Sequence, residues 1–195
     1  MSLAIDIIPA GIIAAVIIIL LKERVFKNTL RCLICAVFAV YLFAVYSLTG
    51  IPSANGLVLD AGVNLVPLAG IVGDAKNAAL NVLLFVPLGI LLPVLWREFR
   101  SFPRTALAGL LLSLGIEILQ IFTFRYTDVN DLLTNTAGAA LGFLIAKAAL
   151  RGCGRAFPGE GYIRRELTVL FALTFSLAFL IQPFISGALW NLFYL

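Results

Sequence analysis

About six long apolar runs limit what this chain can fold into more than any other feature of its sequence. They cover residues 5–21, 32–48, 77–96, 104–124, 131–150 and 167–190. A helix needs about 20 consecutive apolar residues to cross the hydrocarbon core of a bilayer, and each run has close to that length. Strands of a membrane β-barrel would be about half as long. The runs therefore predict an all-α fold, a polytopic transmembrane helical bundle that forms a single integral membrane domain over residues 1–195.

The composition of the chain supports this class of fold. Apolar residues make up 62% of the chain, charged residues make up 12%, and the mean hydropathy is +1.08. An ordinary soluble domain contains about twice this fraction of charged residues. The composition therefore excludes an ordinary soluble protein.

The distribution of Lys and Arg predicts how the helices are oriented, because cytoplasmic loops of membrane proteins carry an excess of these residues. Most basic residues fall in or beside the first, third and fifth connections. They are Lys22, Arg24, Lys27, Arg31, Arg97, Arg100, Arg104, Lys147, Arg151, Arg155, Arg164 and Arg165. These connections are cytoplasmic by this rule, which places both termini outside. The net charge of +4 thus reflects topology, and we expect no nucleic-acid partner because no soluble scaffold presents a basic patch.

Residues 49–75, between the second and third runs, form an unusual connection. The segment is apolar, yet Gly and Pro interrupt it throughout, which excludes one long helix. Bare backbone cannot face lipid, so the bundle must shelter such a segment. We expect an interfacial or re-entrant segment on the outer face. The alternative is a loop that merely caps the bundle.

Polar side chains concentrate near the outer ends of the third, fourth and fifth runs. Such groups are costly in a bilayer, so they are the default candidates for function. The candidate ligand-binding residues are Asn81, Glu117, Gln120, Arg125, Asp128, Asp131 and Asn135. Their spacing places Glu117 with Gln120 on one helix face and Asp131 with Asn135 on another. We expect these faces to line one outward-opening cavity, with Glu117 about 10 Å below the outer end of its helix and Arg125 as the counter-charge.

Each of these residues also has a structural interpretation. Asp128 and Asp131 resemble a capping arrangement at a helix start, where acids are favourable. Asn81 and Asn135 are of the type that hydrogen-bonds between membrane helices. Glu117 is the hardest to explain in this way, because an acid at that depth must be paired, protonated or facing water.

Small residues form stripes along two of the runs. Gly138, Gly142 and Ala146 follow each other at four-residue spacing, as do Gly109 and Ser113. Such stripes permit helices to approach closely. They predict close contacts either within the bundle or in a homo-oligomer.

The polar motifs resemble those of the VanZ-like family of bacterial membrane proteins over about residues 64–146. The motifs are Asn64-x-x-Pro67-Leu68, Asn81-x-x-x-Phe85-x-Pro87-Leu88-Gly89, Glu117-x-x-Gln120 and Arg125-x-x-Asp128-x-Asn130-Asp131-x-x-x-Asn135-x-x-Gly138-x-x-x-Gly142. The chain departs from the family at Leu68, where the family tends to have an aromatic residue. The resemblance adds Asn64 to the ligand-binding candidates and implies a multi-pass protein of the bacterial cell membrane.

The founding members of this family are associated with resistance to teicoplanin-type glycopeptide antibiotics. The resemblance thus implies a role at the cell surface, facing the peptidoglycan layer, and implies no established reaction. Our leading hypothesis is a protein that binds a lipid-linked cell-wall precursor or an amphiphilic ligand such as a lipoglycopeptide in the outer cavity. Membrane lipid is the other expected partner.

The rival hypothesis is an intramembrane hydrolase or transferase that acts on a polyprenyl-linked or peptidoglycan precursor. Glu117 and Asp131 would be its catalytic acid and base. We expect no resident cofactor or metal under the leading hypothesis, but oxygen-rich side chains of this kind would suit a divalent cation in an enzyme. A third alternative is a membrane scaffold in which the polar residues only fix helix register.

Overall fold

The computed structural model describes residues 3–22, 28–52, 57, 59, 62–68, 73–123, 127–152 and 163–194. Helices account for nearly all of these residues, which confirms the all-α prediction. The helices are α1 (Leu3–Leu20), α2 (Thr29–Thr49), α3 (Ala75–Leu95), α4 (Phe102–Gln120), α5 (Val129–Gly152), α6 (Ile163–Ser176) and α7 (Gln182–Tyr194). The remaining regular elements are short. They are strands β1 (Val63–Asn64) and β2 (Thr127–Asp128), a 3₁₀ turn (Arg97–Phe99) and a π-helical turn (Leu177–Ile181).

In the described part of the chain, five helical stretches are long and apolar enough to cross a membrane. They are Thr29–Thr49, Ala75–Leu95, Phe102–Gln120, Val129–Arg151 and Arg165–Ile185. Each coincides with one of the apolar runs of the sequence. The first run corresponds to α1, in which a shorter apolar stretch covers Gly11–Leu20. The prediction of several membrane-spanning helices is therefore confirmed.

Helix ends follow local chemistry. The Asn28 side chain accepts a hydrogen bond from the Arg31 backbone N–H at 3.2 Å and starts α2, which ends at Gly50 with a left-handed φ of 68°. Helix α4 ends at Gln120, earlier than the predicted residue 124. It stops there because the hydroxyl and the backbone N–H of Thr123 both donate to the Gln120 carbonyl, at 2.8 and 2.9 Å, and form a turn.

The chain divides into two compact units. One comprises Met1–Leu59 with Tyr162–Leu195, and the other comprises Asp60–Gly161. In the first unit, α2 packs against α1 and α6. Phe38 meets Phe171 edge-on at a ring-centroid distance of 6.4 Å, a geometry that aromatic pairs favour.

A buried ion pair also joins α2 to α6. Arg31 and Glu166 are each 2% exposed, and the guanidinium binds both carboxylate oxygens, with Nε 2.9 Å from Oε1. A fork of this kind has fixed geometry. Arg31 therefore belongs to the core of this unit, although the sequence assigned it only to a basic cytoplasmic connection.

In the second unit, α3 runs parallel to α5, and α4 runs antiparallel to both. Glycines allow α3 and α5 to approach with their backbones in contact. A Cβ built at Gly138 would clash with the Val82 carbonyl, and one at Gly142 would clash with the Val86 carbonyl. Gly89 of α3 likewise faces the Ala139 carbonyl. The small-residue stripe thus serves an internal contact between two helices of the same chain.

We predict opposite effects for two glycine substitutions in the second unit. Gly142→Ala should lower the free energy of unfolding by about 2 kcal/mol or more, because the new methyl group forces α3 and α5 apart. Gly115→Ala should be neutral or slightly stabilising, since a Cβ there meets no atom within 4 Å and Ala is the better helix former. Thermal unfolding of the purified variants in one detergent measures both effects. Equal melting temperatures for the two variants would contradict the close packing.

The buried ion pair yields a second prediction. Arg31→Leu or Glu166→Leu should each lower the free energy of unfolding by about 3–5 kcal/mol, because each change removes the ion-pair partner of a buried charge. The double variant should recover most of that loss, since two apolar residues fill the same space without a charge. Unfolding temperatures of the two single variants and the double variant test this. A double variant as unstable as the worse single variant would show that the charges do not act as a pair.

Candidate functional site

Polar side chains meet where α3 and α5 begin and α4 ends. The Asn81 side-chain amide donates to Asp131 Oδ1 at 2.7 Å and joins α3 to α5. The Asn135 amide donates to Ser113 Oγ at 2.9 Å, and that hydroxyl lies 3.5 Å from the Asp131 carbonyl, joining α4 to α5. The structure thus brings Asn81, Asp131 and Asn135 together as the helix faces predicted. We call this group, with Asn64, Ser113, Glu117 and Asp128, the polar cluster.

Glu117 lies under the start of α5. It is 3% exposed, and its Oε2 accepts a hydrogen bond from the Asp128 backbone N–H at 3.0 Å. The Thr127 hydroxyl contacts the Glu117 carbonyl at 3.3 Å. Since α4 ends at Gln120, Glu117 lies only one helical turn, about 5 Å, from the helix end. The predicted depth of about 10 Å was wrong because the helix stops earlier than expected.

Asp128 caps α5. Its Oδ1 accepts a hydrogen bond from the Asn130 backbone N–H at 2.8 Å, which satisfies an amide of the first turn. The same oxygen accepts a second hydrogen bond from the Asn64 side chain at 3.1 Å. The capping interpretation of Asp128 is therefore confirmed. Asp128 also links the outer connection to the helix.

The outer connection is attached to the start of α5 by backbone pairing. Strands β1 and β2 run parallel, with Val63 opposite Thr127 and Asn64 opposite Asp128. Leu68 has a left-handed φ of 64°, which is strained for a residue with a Cβ, and its N–H donates to Asn130 Oδ1 at 2.6 Å. The Asn130 side chain therefore helps to hold this backbone conformation.

Three apolar side chains of this connection stand beside the polar cluster. Leu65, Val66 and Leu68 are 74%, 62% and 64% exposed. We call these three residues the apolar shelf. Their exposure favours the interfacial interpretation of the connection, because apolar groups of this size are stable when lipid covers them. Much of the connection, including residues 53–56 and 69–72, lies outside the described residues.

Gln120 and Asn135 complete the set of buried candidates, with 5% and 3% exposure. Within the described residues, Asn135 Oδ1 and the hydroxyl of the neighbouring Thr136 have no hydrogen-bond partner. A buried polar atom of this kind is costly. Arg125 lies outside the described residues, so its role as the counter-charge stays a prediction.

Over the described ranges, no group of three or more His, Cys, Asp or Glu side chains lies close enough to hold a metal ion. Glu117 Oε2 and Asp131 Oδ1 each accept a hydrogen bond from a group of the protein. Their proposed acid and base roles stay predictions.

Two residues that make hydrogen bonds in this network, Ser113 and Thr127, were not among the candidates predicted from the sequence. Ser113 precedes Glu117 by four residues and follows Gly109 by four, so all three share one face of α4. That spacing could have identified Ser113 as a partner. Thr127 could not be found in this way, because its position depends on the strand pairing.

These features define an integral membrane protein with several helices and a buried polar network at one end of three of them. The chain belongs to the VanZ-like family: residues 33–151 match the family described as VanZ/LLP1. It is similar to Protein VanZ from Enterococcus faecium, with 41% identity over 81 residues, which cover 41% of this chain. The match spans about half, 49%, of that protein's length. No solved structure matches the chain.

The position of Glu117 predicts which atoms matter for folding. Glu117→Leu should lower the free energy of unfolding by about 1–3 kcal/mol, because it removes the acceptor of the partly buried Asp128 N–H. Glu117→Gln keeps an oxygen at the same place and should stay close to the wild type. Ile118→Val, at an exposed neighbouring position, is the control for expression and handling. If the Gln variant melted as low as the Leu variant, the negative charge would be required and not only the acceptor.

Proposed function

We propose that this protein binds an amphiphilic molecule at the outer end of α3, α4 and α5 and thereby alters susceptibility to glycopeptide antibiotics. The ligand is a lipid-linked cell-wall precursor or a lipoglycopeptide. Its polar part would contact the polar cluster, and its acyl or prenyl chain would lie along the apolar shelf.

One observation carries this proposal: half-buried polar groups lie next to a strongly exposed apolar surface. Asn64, Asn81, Asp128 and Asp131 are partly accessible, and the apolar shelf follows Asn64 directly in the chain. A hydrogen bond of 3.1 Å joins Asn64 to Asp128 at this boundary. An amphiphile has the same division between polar and apolar parts, so both parts would be satisfied at once.

The family and the charge distribution support the location of the site. Founding members of the VanZ-like family are associated with teicoplanin-type resistance, and the chain belongs to that family. Because α3 and α5 are parallel, Arg97 and Arg100 beyond α3 lie at the same end of the unit as Arg151 of α5. The positive-inside rule then assigns that end to the cytoplasm and the polar cluster to the outer face. Both chain termini would be outside.

A scaffold role is the second candidate, and the hydrogen bonds of the polar cluster favour it. Glu117 bonds to the Asp128 amide, and Asn81 bonds to Asp131, so both contacts are within the protein. Contacts of this kind fix helix register without any ligand. The two candidates differ in whether the cluster can be altered without loss of stability.

Asp131→Asn is the variant that separates them, with Asp74→Asn as its matched control. Both changes remove one carboxylate near the start of a helix, but Asp74 is exposed, and its carboxylate accepts a hydrogen bond only from Asn77 among the described residues. Asp131→Asn can still bond to Asn81, so we expect a folded protein whose ligand affinity falls about tenfold. Thermal shift with undecaprenyl phosphate, a lipid-linked precursor and teicoplanin measures binding. The teicoplanin susceptibility of an expressing strain measures the effect in cells.

The outcomes distinguish the candidates. Binding and altered susceptibility in the wild type and in Asp74→Asn, both lost in a stable Asp131→Asn, would support the proposal. Wild-type protein that binds none of the three ligands would contradict it. Loss of function together with a large drop in the unliganded melting temperature of Asp131→Asn would favour the scaffold.

A further inference from the structure

A pocket lies at the end of the second unit opposite to the polar cluster. It has a volume of about 260 Å³ and lies between the end of α3, the turn that follows it and the last turns of α5. Its lining residues are Pro93, Arg100, Phe143, Lys147, Leu150 and Arg151. Of these six described residues three are basic and three are apolar, and none is acidic.

The basic side chains come from two elements that the fold brings together. Arg100 follows the 3₁₀ turn, and its Nε donates to the Pro93 carbonyl at 3.1 Å, which holds the guanidinium at the pocket. Lys147 and Arg151 lie one turn apart on α5 and share a face. In the described residues, no carboxylate lies within ion-pair distance of these three cations. Glu98 is exposed on the neighbouring turn but does not line the pocket.

The apolar half of the pocket belongs to the packed interior of the unit. Pro93 is buried, and Phe143 is 3% exposed and meets Phe102 edge-on at a ring-centroid distance of 5.8 Å. The backbone contact between Gly89 and Gly142 holds α3 and α5 together just before the pocket opens. The pocket is therefore a built feature of the fold, with an apolar wall beside a set of cations.

We infer that this pocket binds the phosphate group of an anionic membrane phospholipid. Three cations, with no acidic residue among the described residues that line the pocket, match a phosphate, and basic pockets between membrane helices hold anionic headgroups. A free phosphate ion would supply the same charge, but it would leave the apolar side of the pocket uncovered at Leu150, which is partly exposed. A lipid covers this side of the pocket with its glycerol backbone and the first part of its acyl chains. The residues that carry this inference lie outside the polar cluster. The inference is therefore independent of the proposed function and is tested separately.

The test uses the full chain in detergent and native mass spectrometry, which counts bound lipid molecules. Dioctanoyl phosphatidylglycerol is the anionic probe, dioctanoyl phosphatidylcholine is the zwitterionic one, and inorganic phosphate is the third arm. We expect the wild type to retain phosphatidylglycerol in preference to phosphatidylcholine. The double variant Lys147→Gln with Arg151→Gln should bind phosphatidylglycerol about tenfold more weakly. Both side chains are exposed, so the variant should keep its unliganded melting temperature.

Arg104→Gln is the matched control, because Arg104 is an exposed cation at the same end of the unit that does not line the pocket. It should bind phosphatidylglycerol like the wild type. Arg100→Gln provides a second test from another element and should also weaken binding. Equal retention of the two lipids, equal loss in Arg104→Gln, or full retention in the double variant would overturn the inference. Displacement of the lipid by inorganic phosphate at equal concentration would show that the pocket takes a free anion instead.

Discussion

The close approach of α3 and α5 is the constraint on which the second unit depends. Backbone contact at Gly138 and Gly142 sets the two helices at one distance and one register. That register places Asn81 within hydrogen-bond reach of Asp131, and further along it closes the wall between Pro93 and Phe143. A side chain at either glycine would change both ends together. The geometry of the polar cluster and that of the pocket lined by Arg100, Lys147 and Arg151 thus both depend on this one packing contact, although the two sites lie at opposite ends of the unit.

Because α3 and α5 are parallel, the chain between them must cross back to the other end of the unit, and α4 makes this crossing. Because α4 runs antiparallel, its last turn arrives beside the first turn of α5, where Glu117 meets the Asp128 amide. Asp128 contributes both its backbone amide and its carboxylate to this join, and it also lies opposite Asn64 in the short parallel sheet. Most of the polar cluster is therefore engaged in connecting elements, and the groups left partly exposed are those beside the outer connection. Some polar atoms of these residues would then hold the helices together, and other atoms of the same residues would contact a ligand.

Much of this arrangement could be predicted from the sequence, because it follows from local rules. The apolar runs marked the spans, four-residue spacing marked the stripe with Gly142, and the Asx-type cap at Asp128 follows from its position before a helix. Thr123 ended α4 early by a turn that apolar run length cannot reveal. The pairing of β1 with β2 joins segments more than 60 residues apart, and no periodicity signals it. The ion pair of Arg31 with Glu166 could not be predicted for the same reason, because its partners are far apart in the sequence. Each residue alone has the pattern of an ordinary charge at a helix end.

The parallel arrangement of α3 and α5 has an electrostatic consequence. Each helix carries a partial positive charge at its first turn and a partial negative charge at its last, and two parallel neighbours place like ends side by side. The like partial charges at each end of such a pair repel each other unless opposite charges are nearby. Glu117, Asp128 and Asp131 gather where both helices begin, and Arg100, Lys147 and Arg151 gather where they finish. The acidic residues at one end of this unit and the basic residues at the other therefore also neutralise the helix dipoles of α3 and α5. Both groups of charged residues thus help the two helices to pack side by side.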